Sequence, residues 1–289
     1  MNKAVLTLAA SASSILMLSN VAMAVSHSKA PVADEVIAEQ RQKLAETTKG
    51  AGFGPQSPRD ISSIAGTNGR AFEAAPAYSE MNLCNIHFHE GAEHRGGQFT
   101  KYAGNGDGKG YGTGFEYSGE LSEAELAPVA MKVGAGEHGG LVPGDTIEVH
   151  YVHSTAQVTP GPTLGSCLSE SIMNPQLRVE AQVFVLVNDE NAADFMELTE
   201  VGMVDGLHQA LNIPDNTGTP VHYAGSTTGP SYNEKGSPLQ VTWNVRPEVL
   251  KVNIQTVATW LEDNIFDEGY AHGVRNLIYN KDLLSEISQ

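Results

Sequence analysis

The side chains with the most chemical potential concentrate in one short run, Asn85-Ile86-His87-Phe88-His89-Glu90-Gly91-Ala92-Glu93-His94-Arg95-Gly96, which holds three histidines and two glutamates. In an extended strand, residues two apart share a face. His87 and His89 therefore project together and Phe88 projects the other way. Two neutral imidazoles side by side begin a site for zinc or a first-row neighbour. A lone His-x-His also occurs on ordinary polar strands, so a third ligand must come from elsewhere. The run Glu148-Val149-His150-Tyr151-Val152-His153 offers one. Glu148 and His150 share a face. His150 is the candidate third ligand, and Glu148 is placed to hold a ligand imidazole by its other nitrogen, which fixes the tautomer. His153 points away from His150 and reads as structural or surface. Three histidines on two strands, without a fourth protein ligand, describe a catalytic zinc site with an open water position.

A third segment, Tyr223-Ala224-Gly225-Ser226-Thr227-Thr228-Gly229-Pro230, carries a hydroxyl pair on a Gly/Pro-rich loop. Such pairs are commonly turn residues. Beside a metal hydroxide, a threonine hydroxyl can accept the hydroxide's proton and donate its own to a carboxylate, for which Glu93 is the candidate.

The elements that must position these groups are strands. The pattern predicts strands over Met81 to His89, Thr146 to His153 and Leu239 to Val245. Gln176 to Val187 ends in a continuous apolar run expected of a buried central strand. Val249 to Trp260 begins as strand and turns helical. Short helices are expected within Glu120 to Val133 and Ala192 to Leu211, and Thr217 to Pro238 reads as turns. Pro31 to Lys49 fits either an amphipathic helix or a solvated arm. The glycine-rich stretch from Gly96 to Gly119 reads as a hairpin or surface loop.

The 289 residues suffice to bury a core, and 34 acidic against 17 basic residues give a formal charge of −17. Such a surface repels nucleic acid and anionic membrane, which excludes both as partners. Met1 to Ala24 has the form of a cleaved signal peptide: Lys3, an apolar run, then Ala22-Met23-Ala24. The expected location is periplasmic or secreted. An oxidising compartment lets the two cysteines, Cys84 and Cys167, pair. The alternative, Cys84 as a metal ligand, is opposed by strand parity with His87.

Five motifs follow one another: Gln56-Ser57-Pro58-x-Asp60-Ile61; His87-Phe88-His89 with Glu93-His94; Glu148-x-His150-x-x-His153; Gly225-Ser226-Thr227-Thr228-x-Pro230; and Val241-Thr242-Trp243-x-Val245. In that order they resemble the carbonic anhydrases of the α class and, more closely, the α-like δ class, over Gly54 to Val245. The resemblance implies an α+β, β-dominated fold, a large twisted and mostly antiparallel sheet with peripheral helices. It divides the chain into a signal peptide (1–24), an N-terminal helix or arm (25–53) and a catalytic domain (54–289). It also implies Zn²⁺ on His87, His89 and His150, with Glu148 behind the ligands. Glu93 and one of Thr227 or Thr228 would orient the hydroxide, and an ungapped match favours Thr228. Val152, Trp243 and one of the valines from 183 to 187 would form the wall for CO₂. The implied reaction is reversible hydration of CO₂ to bicarbonate and a proton.

Two departures accompany the resemblance. The glycine-rich insert between Glu93 and Glu148 is longer than the α pattern and favours the δ branch. The α-class proton-shuttle histidine has no clear counterpart, with His94, His138, His208 and His222 as candidates. Two alternatives stand beside this reading. One is a cupin, in which Glu93 would be a fourth ligand to iron or manganese. The other is a non-catalytic secreted zinc-binding protein.

Overall fold

The computed structural model describes residues 30–227 and 233–288. The expected signal segment, 1–24, lies outside the described residues. In chain order the elements are α1 (Asp34–Thr48), β1 (Asn82–Glu90), β2 (Lys101–Tyr102), β3 (Phe115–Glu116), β4 (Val133–Gly136), β5 (Gly139–Leu141), β6 (Thr146–Ser154), β7 (Leu177–Val187), α2 (Phe195–Leu198), β8 (Val201–Val204), β9 (Leu207–Ala210), β10 (Val221–Ser226), β11 (Gln240–Asn253) and α3 (Ile254–Glu262).

One five-stranded sheet, in the order β1-β6-β7-β11-β10, carries the structure. Its pairs are antiparallel except β7 with β11, which is parallel. The sheet is therefore mixed and mostly antiparallel, and the expected β-dominated class holds. Every residue of β6 and β7 is buried, because the sheet is covered on both faces.

The two faces differ in kind. One packs Ile86, Phe88, Val149, Tyr151, Phe184 and Leu186 onto Phe195, Trp260 and Phe266. Helix α3 lies under this face because Ile254, Val257, Ala258 and Leu261 make one apolar stripe. Its start is capped by Asn253, whose Oδ1 accepts from the Gln255 N–H at 3.0 Å. The other face gathers Val152, Val179, Ala181, Val183, Tyr223, Trp243 and Val245, and it holds the candidate site. Part of the outer edge of β1 is covered. Glu90 N donates to His272 O and His272 N donates to Phe88 O, each at 2.9 Å, so that stretch is not left as an open strand edge.

The N-terminal segment is a docked helix rather than a solvated arm. Ile37 and Leu44 of α1 are buried, and Leu44 joins Ile278, Leu283 and Leu284. Of the two short helices expected beyond α1, one is corrected and the other is confined to a single turn. Glu120 to Val133 holds only a turn closed by Leu126 N to Ser122 O, with Pro128 next in line to block a helix. Ala192 to Leu211 holds the single turn α2 and then the hairpin β8–β9. That hairpin turns on Asp205-Gly206, both at positive φ (51° and 84°). The pair is a favoured two-residue hairpin turn, and it overrides the helical pattern. Residues 217–238, expected as turns, contain β10.

Cys84 and Cys167 form a disulfide, Cα to Cα 4.9 Å. The parity argument against Cys84 as a ligand fails even so. A bulge between Leu83 and Asn85 breaks the alternation and turns Cys84 toward the Val152–Val179 side, the same side as the site. The disulfide itself keeps Cys84 from ligation. Among the described residues, no helix is long and apolar enough to cross a membrane.

Candidate metal centre

The register of β1 against β6 sets His87 opposite His150 and His89 opposite Glu148. The two-residue alternation of both strands thus delivers four groups to one face. One ligating nitrogen from each of His87, His89 and His150 lies within 4.8 Å of the other two.

Each ring is held by its outer nitrogen. His87 Nδ1 lies 2.6 Å from Asn85 Oδ1, His89 Nδ1 lies 2.9 Å from the Gly273 carbonyl, and His150 Nε2 lies 2.8 Å from Glu148 Oε1. A ring nitrogen that faces an oxygen acceptor carries the proton. The inner nitrogens, His87 Nε2, His89 Nε2 and His150 Nδ1, are then lone pairs. His87 Nε2 and His150 Nδ1 face each other at 3.3 Å with no proton to share. His89 Nε2 is buried and has no hydrogen-bond partner among the described residues. Three converging lone pairs fit a cation, and three imidazoles suit zinc and its neighbours.

His87 and His89 are also neutral, as ligation requires. Burial, reinforced by His150 and His89, holds His87 well below the ordinary histidine range. Burial pulls His89 down to about 4 against the opposing field of Glu93. Burial opposes ionisation of Glu148, but His94 and His150 outweigh it and hold the carboxyl well below its ordinary range.

Behind the histidines runs a buried chain of hydrogen bonds. Glu148 Oε1 meets His94 Nδ1 at 2.6 Å, and Oε2 accepts from the His94 backbone N–H at 3.0 Å. His94 Nε2 lies 2.6 Å from the Tyr223 hydroxyl, which lies 3.0 Å from Ser57 Oγ. Ser57 Oγ also accepts from Ser226 N at 3.0 Å. This close approach needs Gly225, where a Cβ would sit 2.1 Å from Ser57 Oγ. The Gln56-Ser57-Pro58 motif and the Gly225-Ser226 motif thus meet 169 residues apart in sequence.

Beside the triad lies a cavity of ≈ 30 Å³. Val152, Leu164, Val179 and Trp243 form its apolar wall, and Glu93, Ser226, Thr227 and Arg275 bring polar groups to it. Glu93 is buried, and its Oε1 accepts from Arg275 N at 2.9 Å. Arg275 Nη1 donates to the carbonyls of Ser57 and Thr227 at 3.3 and 3.2 Å.

Of the residues expected at the site, His87, His150, Glu93, Thr227, Val152 and Trp243 line this one cavity, with His89 and Glu148 directly behind. The wall valine is Val179 rather than one from 183 to 187. Thr228 lies outside the described residues. His153 is wholly buried on the opposite side of β6. Of the four shuttle candidates, none lines the cavity. His94 is buried in the chain behind the ligands, His138 stacks on Tyr111 at 3.6 Å, and His222 meets Asn244 on β10. Four contributors went unread in the sequence: Asn85, Tyr223, Arg275 and His272. His272 stacks on His87, centroids 5.2 Å apart, and its Nε2 meets Glu268 Oε2 at 2.7 Å. Tyr223 and Arg275 arrive through long-range contacts that no local spacing signals. Asn85 was readable, since it is two residues before His87 on the same strand. The cupin's four-ligand set is not what the geometry presents: Glu93 is engaged by Arg275 N and stands outside the converging triad.

Among solved structures, the chain is similar to a hyperthermostable carbonic anhydrase identified from an active hydrothermal vent chimney. That match has 15% identity and a TM-score of 0.32, and covers 81% of this chain and 88% of the other. It is also similar to an alpha-carbonic anhydrase of Photobacterium profundum, at 16% identity and a TM-score of 0.27, with 82% of this chain and 93% of the other covered. No curated protein matches. The family model described as delta carbonic anhydrase matches residues 78–256, more than half of the chain and the whole span of the three histidines, and the chain belongs to that family.

Proposed function

We propose that the enzyme hydrates CO₂ with a zinc ion held by His87 Nε2, His89 Nε2 and His150 Nδ1. The observation that carries this reading is the set of three inward lone pairs, each fixed by an oxygen acceptor on the ring's far side. When bound, zinc supplies Lewis-acid chemistry that makes hydroxide available near neutral pH, the behaviour for which carbonic anhydrase is the reference case.

The chain's own residues do the rest. Val152, Leu164, Val179 and Trp243 exclude water and seat an apolar substrate of the size of CO₂. The Arg275 N–H keeps the Glu93 carboxylate turned toward the cavity. Thr227 donates a hydrogen bond to that carboxylate and accepts one from the attacking nucleophile, which aims the nucleophile's lone pair at carbon. Thr228 is the alternative for this role. Thr227 lines the cavity, whereas Thr228, which the ungapped motif match favours, lies outside the described residues. Glu148 and Asn85 hold the His150 and His87 tautomers. The disulfide supports a secreted or periplasmic location after removal of residues 1–24.

The deciding test is stopped-flow CO₂ hydration on the chain from Val25, with metal content measured in parallel. Chelator-sensitive hydration restored by zinc is expected. Zinc-loaded protein without activity would sink the catalytic reading. Parallel Thr227→Val and Thr228→Val variants assign the hydroxyl: the orienting threonine loses about 10²-fold or more in kcat.

A further inference from the structure

Outside the metal centre, one cavity of ≈ 360 Å³ is closed on one side by α1. Three of the chain's seven arginines, Arg41, Arg95 and Arg275, line it, with one carboxylate, Asp34, among the lining residues. In a chain with a formal charge of −17, this gathering of guanidinium groups stands against the general field. Asp60 pairs with Arg95 and compensates part of its charge, and the Asp34 carboxylate accepts from Asn105 Nδ2 at 2.7 Å. Arg41 stacks over the Tyr279 ring at 4.6 Å, and its buried Nε has no partner among the described residues. Planar forks of this kind match oxyanions two oxygens at a time. Thr100 and Tyr102 also line the cavity and carry hydroxyl groups.

Arg275 ties the cavity to the chemistry. It lines both this cavity and the metal cavity, and its backbone N–H holds Glu93. We infer that the Arg41–Arg95–Arg275 cavity is a second site for a small oxyanion, separate from the metal and sharing one wall residue with it. The shared chemistry is that of a carboxylate, phosphate or bicarbonate. If the proposed reaction holds, bicarbonate is the oxyanion generated next door.

The test uses the full mature chain as isolated. Its thermal midpoint is followed while bicarbonate, inorganic phosphate or acetate is titrated at fixed pH and ionic strength, with chloride as the balancing salt. A saturable rise with at least one oxyanion is expected, since a ligand that binds only the native state stabilises it. Arg41→Gln and Arg95→Gln should each raise the half-saturating concentration about tenfold, the loss of one charge-assisted hydrogen bond. Arg246→Gln, outside the cavity, should titrate like the parent. The response should survive metal removal by a chelator. If it vanishes with the metal, if chloride reproduces it, or if both cavity variants titrate like the parent, the second site is wrong. CO₂ hydration by the parent, assayed separately, reports on the catalytic reading alone.

Discussion

The two faces of β1 and β6 are made from alternating residues of the same strands, yet they do opposite work. Ile86, Phe88, Val149 and Tyr151 face an aromatic core of Phe195, Trp260 and Phe266. His87, His89, Glu148 and His150, one position away in each case, face a small cavity where every ring is oriented by a hydrogen bond. The comparison teaches a division of labour. Burying three imidazoles and a carboxylate is costly unless each is paired. The apolar face supplies the burial free energy that keeps the two strands in register while the polar face is left with three lone pairs and no proton between them.

The strongest way to break the comparison is to change one residue on the polar face. His150→Ala should abolish metal binding and hydration together while leaving the cooperative unfolding of the chain intact. Full metal occupancy in this variant would remove His150 from the ligand set. The matching change on the other face is Phe88→Ala. Phe88 packs edge-on to Phe195 at 5.7 Å and against Trp260 at 5.9 Å. Its loss should cost about 3–5 kcal/mol of stability in denaturant unfolding. Metal content and specific activity of the folded fraction should stay near the parent's. A face-independent loss of both properties would mean that the faces are not separable.

His153 tests the division at its border. It lies on β6 with the apolar-side residues and is wholly buried, and burial pulls it down to about 3 despite its hydrogen bond to the Tyr151 carbonyl. Its Nε2 has no hydrogen-bond partner among the described residues. The folded state therefore binds fewer protons than the unfolded chain between pH 6.5 and about 3. Stability contributed by neutral His153 is present above pH 6.5 and is lost as pH falls through that window. The loss should approach about 3–5 kcal/mol. His153→Gln should flatten the decline of stability with acid, measured as the difference between parent and variant under the same metal loading. Parallel pH profiles would show that His153 takes up its proton in the fold as it does in the unfolded chain.

Much of this arrangement is legible in the sequence alone, for a physical reason. Strand alternation is a local property, so His87, His89, Glu148 and His150 could be read onto one face from spacing alone. Phe88 could be read off that face the same way. The rest was hidden by long-range geometry or by local exceptions. Tyr223 reaches His94 across 129 residues, and Arg275 reaches Glu93 across 182. Neither separation leaves a periodic trace. The bulge at Leu83/Asn85 inverted the expected direction of Cys84 although the pairing with Cys167 was right. The Asp205-Gly206 turn was readable as a hairpin signal and was outweighed by a helical pattern that tertiary pairing did not honour.

The finest cut separates two residues that support neighbouring ligands on the same face. Glu148 is charged, wholly buried and shared between His150 and His94. Asn85 is neutral and among the histidines serves only His87, at 2.6 Å, while its Nδ2 donates to the Gly161 carbonyl at 3.1 Å. Loss of a group that orients a metal ligand costs about 10–100-fold in metal affinity. Glu148→Gln should fall at the upper end, because it removes a buried charge that two imidazoles hold in place. Asn85→Ala should fall at the lower end, near tenfold. It leaves His87 buried among its neighbours but frees its Nδ1 to take either tautomer, so a share of the ring's states turns a proton toward the metal, and the ring loses its orienting partner. Competition for zinc against a chelator of known affinity reads both variants on one scale. A larger loss for Asn85→Ala than for Glu148→Gln would mean that tautomer control at His87, rather than charge behind His150, dominates the centre.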